Sequence, residues 1–278
     1  KEKKEVLTTA LDKWIAGMME ATEGKVKAWD VVNEALSGDD TNGDGKYDLQ
    51  SATRGTAPDD DIPNSFYWQD YLGDLDYVRT AVASARKHFE ENGGNSKELK
   101  LFVNDYNLES DWDQNGKLKS LIQWIKDWEA DGVTKIDGIG SQMHISCYGN
   151  PKTQEAKKNA IENMLKLMAE SGKLVRISEL DMGYVDANGK EVKTADMTEE
   201  QHKEMRALYE FVVKKYLEII PENQQWGICQ WCVTDSPANS GWRAGLPVGL
   251  WDSDYYRKHT YGGFAAGLGA PEYWNNAK

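Results

Sequence analysis

Three features are scarce in this chain of 278 residues: cysteine, positive charge relative to negative charge, and long apolar runs. The three cysteines are too few for a disulfide scaffold. Lys and Arg number 33 against 46 Asp and Glu, a formal charge of −13, and no basic stripe is available to bind nucleic acid or an anionic membrane. No apolar run approaches the roughly 18 residues that a membrane span needs. We therefore expect neither a nucleic-acid partner nor membrane insertion.

The cysteine spacing does not indicate a metal site. Cys229 and Cys232 form a C-x-x-C pair, but no second pair is present to complete a zinc site. The surrounding segment is typical of a buried strand, on which residues three apart point to opposite faces. We therefore expect core thiols here and neither a metal ion nor another cofactor.

Tryptophan and tyrosine are abundant among the aromatic residues. Eleven Trp and 13 Tyr accompany only five Phe. Trp and Tyr combine a flat apolar face with a polar edge, which suits stacking on a sugar ring. Ordinary packing in the core and at its rim explains many of them equally well, and composition alone leaves both interpretations open.

Short apolar segments alternate with longer amphipathic ones along the chain. The pattern predicts strands over 27–33, 99–106, 136–145, 175–182 and 227–233. It predicts helices over 5–20, 71–92, 116–130, 153–171 and 198–220. Repeated strand–helix units indicate an α/β fold with a parallel sheet and helices outside it. We expect a single domain over 1–278.

Polar residues follow nearly every predicted strand at its carboxyl end. They are Asn33 and Glu34, the segment 104–107, Gln142 and His144, Glu179 and Asp181, and the segment 231–235. In a barrel of parallel strands, this end carries the chemistry. The pattern therefore predicts one functional site built from several strands.

Two carboxylates in this set are candidates for acid–base chemistry. Glu34 follows the first predicted strand and Glu179 lies near the end of the fourth. A pair of carboxylates is the minimal machinery for glycoside hydrolysis. Glu179 and Asp181 share a strand face by the period of two, and we expect His144 to lie against both. For any one of these residues alone, an ordinary structural role is the competing interpretation.

Five segments, in order along the chain, resemble motifs of glycoside hydrolase family 10, the retaining endo-β-1,4-xylanases. They are 29–34 (WDVVNE), 101–107 (LFVNDYN), 138–144 (GIGSQMH), 177–181 (ISELD), and 231–235 (WCVTD) with 240–243 (SGWR). The resemblance implies a (β/α)8 TIM barrel that cleaves β-1,4-xylan internally with retention. Retention by this mechanism places the two carboxyl groups about 5–5.5 Å apart.

The resemblance also implies a role for each matching residue. Glu34 is the expected general acid/base and Glu179 the expected nucleophile. His144 and Asp181 are expected to orient Glu179. The remaining expected contacts are with substrate: Asn33 and Gln142 bind the sugar near the cleavage point, and Tyr106, Trp231 and Trp242 line the cleft.

The predicted strands correspond to the fourth to eighth strands of the family barrel. Five strand–helix units do not close a barrel, so we expect an incomplete domain whose partner is the N-terminal barrel segment. Two alternatives remain: a fragment that binds glycans without turnover, and a cellulase-like relative with the same carboxylates. Because xylan is too large to enter a cell whole, we expect an extracytoplasmic location.

The segment 40–48 (DTNGDGKYD) matches the first half of a calcium-binding loop. The closing bidentate Glu of such a loop is replaced by Ser51. A hydrophilic turn accounts for the same residues, and the sequence leaves both interpretations open.

Overall fold

The computed structural model describes residues 2–59 and 62–271, which form alternating helices and strands. The helices are α1 (Glu2–Thr22), α2 (Gln69–Leu72), α3 (Asp76–Glu91), α4 (Gly116–Glu129), α5 (Pro151–Glu170), α6 (Glu199–Ile219) and α7 (His259–Gly267). The strands are β1 (Ala28–Asn33), β2 (Lys100–Asp105), β3 (Gly138–Ser141), β4 (His144–Tyr148), β5 (Leu174–Val185) and β6 (Gln225–Gln230). The α/β class predicted from the sequence is confirmed.

The described residues group into two compact units. One comprises those of 1–105 and 116–140, and the other those of 106–115 and 141–278. In the first unit, β1 pairs in parallel with β2, from Ala28 opposite Lys100 to Asn33 opposite Asn104. The buried faces of α3 and β2 supply much of its core, including Val78, Val82, Phe89, Leu101 and Val103.

In the second unit, β5 is flanked by β4 and β6, and both pairings are parallel. His144 stands opposite Asp181 in the register of β4 and β5. Helix α6 begins with a capping box, in which the Thr198 side chain accepts from the Gln201 backbone and the Gln201 side chain accepts from the Thr198 backbone. This confirms the helix start predicted from the sequence.

The predicted strand over 136–145 is wrong as a continuous element. It is two strands, β3 and β4, separated by Gln142 and Met143. Met143 adopts a φ of 57°, a left-handed conformation that interrupts the extended backbone. The described strands therefore number six rather than five.

Two further expectations are corrected by local structure. The predicted helix over 71–92 is divided into α2 and α3, with Gly73 at a φ of 95° ending the first. Cys229, expected in the core, is exposed, whereas Cys147 on β4 is buried. Within 2–59 and 62–271, none of the helices combines the length and the hydropathy that crossing a membrane requires.

Candidate active site

The first unit presents Asn33 and Glu34 at the carboxyl end of β1. Their neighbour on β2 is Asn104, which is fully buried. The Asn104 side-chain amide donates to the Asn33 side-chain oxygen at 2.9 Å, and the Glu34 backbone N–H donates to the Asn104 carbonyl at 2.8 Å. The strand pair thus holds both the backbone of Glu34 and the side chain of Asn33.

Glu34 itself has a left-handed backbone, with a φ of 56°. A non-glycine residue in this region carries a conformational cost and persists where its surroundings impose it. The buried Gln50 supplies one such constraint, because its side-chain amide donates to the Glu34 carbonyl at 2.9 Å. Two further hydrogen bonds hold Gln50 in place. Its backbone N–H donates to the Ala35 carbonyl at 2.8 Å, and its own carbonyl accepts from the side-chain amide of Gln69.

A buried ion pair lies directly after Asn104 on β2. The Lys117 ammonium donates to the Asp105 carboxylate at 2.8 Å, and both side chains are almost inaccessible to solvent. The other Asp105 oxygen accepts the Leu36 N–H at 3.1 Å. Asp105 therefore connects β2, α4 and the segment after Glu34 within the first unit.

A cavity of about 530 Å³ opens beside Asn33 and Glu34. Phe66 and Trp68 contribute aromatic rings to its wall, and Phe66 makes an edge contact with Trp68 at 4.9 Å between centroids. Phe66 is half exposed and also stacks on Tyr71. An acid beside an open, aromatic-walled cavity is an arrangement that admits a sugar.

The second unit brings His144, Glu179 and Asp181 together. The His144 Nε2 atom lies 3.2 Å from a Glu179 carboxylate oxygen, and its Nδ1 atom lies 3.1 Å from an Asp181 oxygen. The imidazole therefore stands between the two carboxylates, as the sequence predicts. The register of β4 on β5 produces this contact, since His144 is directly opposite Asp181.

Asp181 is the most enclosed member of this array, with no side-chain exposure. The Trp242 indole N–H donates to one of its oxygens at 2.7 Å, and the Arg243 guanidinium donates to the other at 2.7 Å. Arg243 also donates to the Ile145 carbonyl at 2.9 Å. These bonds compensate the buried negative charge. Arg243 belongs to the motif at 240–243, but its sequence position does not indicate the contact with Asp181.

The charges around His144 alter its protonation. Burial by itself lowers the pKa of the imidazole, but the Asp181 and Glu179 carboxylates outweigh burial and raise the pKa above its ordinary value. The cationic form is therefore favoured. An imidazolium at this position attracts the Glu179 and Asp181 carboxylates on either side of it.

Two exposed tryptophans stand beside the imidazole. The ring centroid of His144 is 4.6 Å from Trp242 and 6.0 Å from Trp231.

Gln142 is buried, and its backbone carbonyl accepts the Glu179 N–H at 3.2 Å. Tyr106 belongs to the same unit and is half-buried. The predicted residues thus fall into two groups: Asn33 and Glu34 in the first unit, and the others in the second.

The calcium-like segment 40–48 is a closed turn. The Asp40 carboxylate accepts the backbone N–H groups of Gly43, Asp44 and Gly45. The Asp48 carboxylate accepts from Thr41. Over the part of the chain that the structure describes, no group of three or more His, Cys, Asp or Glu residues is arranged to hold a metal ion.

Among curated relatives, endo-β-1,4-xylanase Xyn10C of Cellvibrio japonicus is 30% identical over 279 residues, covering 93% of this chain and 39% of the relative. An endo-1,4-β-xylanase A of Thermotoga maritima is 32% identical over 228 residues, covering 81% of this chain and 18% of the relative. The chain therefore spans less than two fifths of either relative.

Solved structures show the same relationship. Native xylanase 10C of Cellvibrio japonicus superposes with a TM-score of 0.71 at 26% identity, covering 99% of this chain and 53% of that one. A mutant of the same protein in complex with xylopentaose also gives 0.71, covering 99% and 50%. Because the model of glycosyl hydrolase family 10 matches residues 1–266, the chain belongs to that family.

Proposed function

We propose that the chain is the catalytic region of an endo-acting xylanase that hydrolyses β-1,4-xylan with retention. The observation that carries this proposal is the placement of His144 between Glu179 and Asp181, at 3.2 and 3.1 Å. Family membership supports the reaction class, and the xylanases among its relatives support the substrate. The xylopentaose complex of the Cellvibrio relative supports a xylo-oligosaccharide ligand.

The proposed reaction has two displacements. Glu179 attacks the anomeric carbon while Glu34 donates its proton to the departing glycosidic oxygen, so that a covalent glycosyl-enzyme forms and the glycosidic bond breaks. Glu34, now ionised, removes a proton from water. That water attacks the anomeric carbon and releases Glu179. Two inversions at one carbon give net retention.

In the proposed mechanism, the other site residues position Glu179 and the sugar. His144 and Asp181 hold the Glu179 carboxylate in place. Asn33 and Gln142 bind the sugar near the cleavage point. Tyr106, Trp231 and Trp242 line the cleft, and the exposed rings of Trp231 and Trp242 suit pyranose stacking.

The proposal includes a (β/α)8 barrel completed by an N-terminal barrel segment as the partner of this chain. It is supported by the parallel pairings in both units and by coverage of 50–53% of the solved xylanase 10C chains. A test is xylan hydrolysis with and without the added segment. We expect the added segment to raise the rate of hydrolysis. If this chain alone hydrolysed xylan as fast as a complete relative, the proposal would be contradicted.

The mechanism is tested with Glu179→Ala, using an aryl xylobioside as substrate in the completed enzyme. We expect turnover to fall by several orders of magnitude, because the covalent step loses its nucleophile. The control is Glu170→Ala at the exposed end of α5, which we expect to match the unmodified enzyme. Unchanged turnover of Glu179→Ala would rule out its assignment.

Stereochemistry and substrate choice are separate tests. Proton NMR of the first product formed is expected to show the β-anomer. Early α-anomer would contradict retention. Aryl xylobioside is expected to be cleaved faster than aryl cellobioside, and the opposite order would indicate a cellulase-like relative. Oligosaccharide binding without any hydrolysis by the completed enzyme would indicate a glycan-binding protein.

We also propose an extracytoplasmic location, secreted or at the cell surface, since a polymer such as xylan must be shortened before uptake. Immunodetection in cell fractions of the producing organism tests this. Recovery of the protein only in the cytoplasm would contradict it.

A further inference from the structure

A cysteine thiol that the proposed mechanism does not use lies against the buried Asp181. The sulfur of the half-buried Cys232 is 3.8 Å from the Oδ2 atom of Asp181, the same oxygen that accepts the Trp242 indole N–H. The other oxygen, Oδ1, is shared by the Arg243 guanidinium and the Nδ1 atom of His144. Each Asp181 oxygen therefore lies beside two groups that can donate a hydrogen bond.

The backbone around Cys232 is fixed on both sides. The side-chain amide of Gln230 donates to the Cys232 carbonyl at 3.0 Å, and the N–H of the preceding residue donates to a carbonyl of β5 at 3.0 Å. One position further, the Val233 carbonyl accepts the Leu250 N–H at 3.0 Å. These bonds keep the thiol beside Asp181 before any substrate binds.

The protonation of Cys232 decides what the thiol can do there. Burial raises the pKa of the Cys232 thiol to about 11, and the Asp181 carboxylate adds to this shift. At neutral pH the sulfur therefore carries its proton. A thiol is a weak donor, but an ionised acceptor strengthens the hydrogen bond. Because a protonated thiol is also a poor nucleophile, hydrogen-bond donation is the chemistry left to it at this position.

Two carboxylates compete for one imidazole in this array. His144 lies 3.1 Å from Asp181 and 3.2 Å from Glu179. A hydrogen bond donated to Asp181 weakens the pull of that carboxylate on the imidazole, which leaves the ring more available to Glu179. The further charged side chains that share Asp181 or the cavity beside the ring are those of Arg243, Lys157 and Glu109.

We propose that Cys232 is a positioning residue for the reaction: its thiol donates to Asp181 and thereby shifts the hold of the His144 imidazole toward Glu179. Cys232 acts through Asp181 and His144 rather than on the substrate. The assignment of Glu179 as the nucleophile rests on the proposed function. The effect of the thiol on Asp181 and His144 does not, because it follows from their geometry alone.

The first test is a proton NMR titration of the imidazoles in the full chain, in which His144→Gln identifies the His144 signal among the four histidines. In Cys232→Ala we expect the pKa of His144 to rise further, because Asp181 loses a donor and attracts the imidazole proton more strongly. Cys232→Ser keeps a donor and should stay close to the unmodified chain. The matched control is Cys229→Ala, which removes the exposed thiol of β6.

The second test is hydrolysis of an aryl xylobioside by the completed enzyme. We expect Cys232→Ala to lower kcat about twofold to fivefold with KM unchanged, because the loss of a weak hydrogen bond reaches the nucleophile and not the bound sugar. Cys232→Ser should recover most of kcat, and Cys229→Ala should match the unmodified enzyme. Far-UV circular dichroism of each variant establishes that it is folded.

Three results would overturn the role of Cys232. They are a His144 pKa that is unchanged or lower in Cys232→Ala, an equal rise in Cys232→Ala and Cys232→Ser, and an unchanged kcat in Cys232→Ala. If the His144 pKa rose as expected but the completed, unmodified enzyme did not hydrolyse aryl xylobioside, the proposed function would be refuted and the action of Cys232 on Asp181 and His144 would be supported.

Discussion

The side-chain amide of Gln50 donates a hydrogen bond of 2.9 Å to the backbone carbonyl of Glu34. Glu34 is the proposed acid, and its φ of 56° is one that surrounding structure must maintain. Gln50 lies 16 positions further along the chain, in the segment between β1 and α2. This contact therefore makes the segment after β1 a support for the acid.

Replacing Gln50 with Ala is expected to slow substrates with poor leaving groups more than activated aryl glycosides. A displaced Glu34 donates its proton less well, and only poor leaving groups need that proton early. The measurement is kcat on both substrate classes in the completed enzyme. Gln123→Ala, at an exposed position of α4, is the control. An equal loss on both classes would assign Gln50 a purely structural role.

Arg243→Met is expected to destabilise the protein by about 3–5 kcal/mol, because the buried Asp181 carboxylate then loses its guanidinium partner. Urea unfolding measures this. The control is Arg54→Met: the Arg54 side chain is 43% exposed in its pair with Asp74, and its loss is expected to cost at most about 1 kcal/mol. Equal effects of the two substitutions would show that Arg243 does not compensate Asp181.

The raised pKa of His144 predicts a pH-dependent contribution to stability. A histidine whose pKa is higher in the folded state stabilises fully below its unfolded pKa, about 6.5, and this contribution is lost as pH rises through the folded pKa. Thermal unfolding of the wild type and of His144→Gln should therefore differ most in acid and converge in alkali. A difference in melting temperature between the two proteins that grows as pH rises would contradict the raised pKa of His144.

His202 provides the opposite case. Burial, helped by the positive charge of Lys258, lowers the pKa of His202, so its contribution is present above pH 6.5 and is lost as pH falls through the lower, folded pKa. We expect the melting temperatures of the wild type and of His202→Gln to differ more above pH 6.5 than below it. If the difference in melting temperature from the wild type changed with pH in the same direction for His144→Gln and His202→Gln, a charge effect common to both variants would be indicated instead.

A buried ion pair joins Lys258 to Asp235, and Lys258 also donates to the Pro247 carbonyl at 2.9 Å. Lys258→Met should destabilise the protein by about 3–5 kcal/mol, because Asp235 then lies buried without its partner. The double variant Lys258→Met with Asp235→Leu should recover part of this loss, since no charge remains buried. Urea unfolding tests both, and a double variant less stable than the single one would contradict the explanation.

The order of strands and helices could be read from apolar periodicity, and the acid and nucleophile candidates from their positions near the carboxyl ends of predicted strands. The break at Met143 could not, because a left-handed residue inside an apolar run leaves no compositional signal. Nor could the roles of Gln50 and Arg243, since hydrogen bonds between residues far apart in the chain depend on loop paths. Arg243 lies 62 positions from Asp181.

The sequence by itself determined the α/β class, the family resemblance, and the candidacy of Glu34, Glu179, His144 and Asp181. Periodicity and local motifs suffice for these, because strand ends and capping residues act over a few positions. The tertiary structure decided which side chains neutralise the buried Asp181 and what supports the backbone of Glu34. These depend on strand register and on loop closure, which bring distant side chains within hydrogen-bonding distance only after folding.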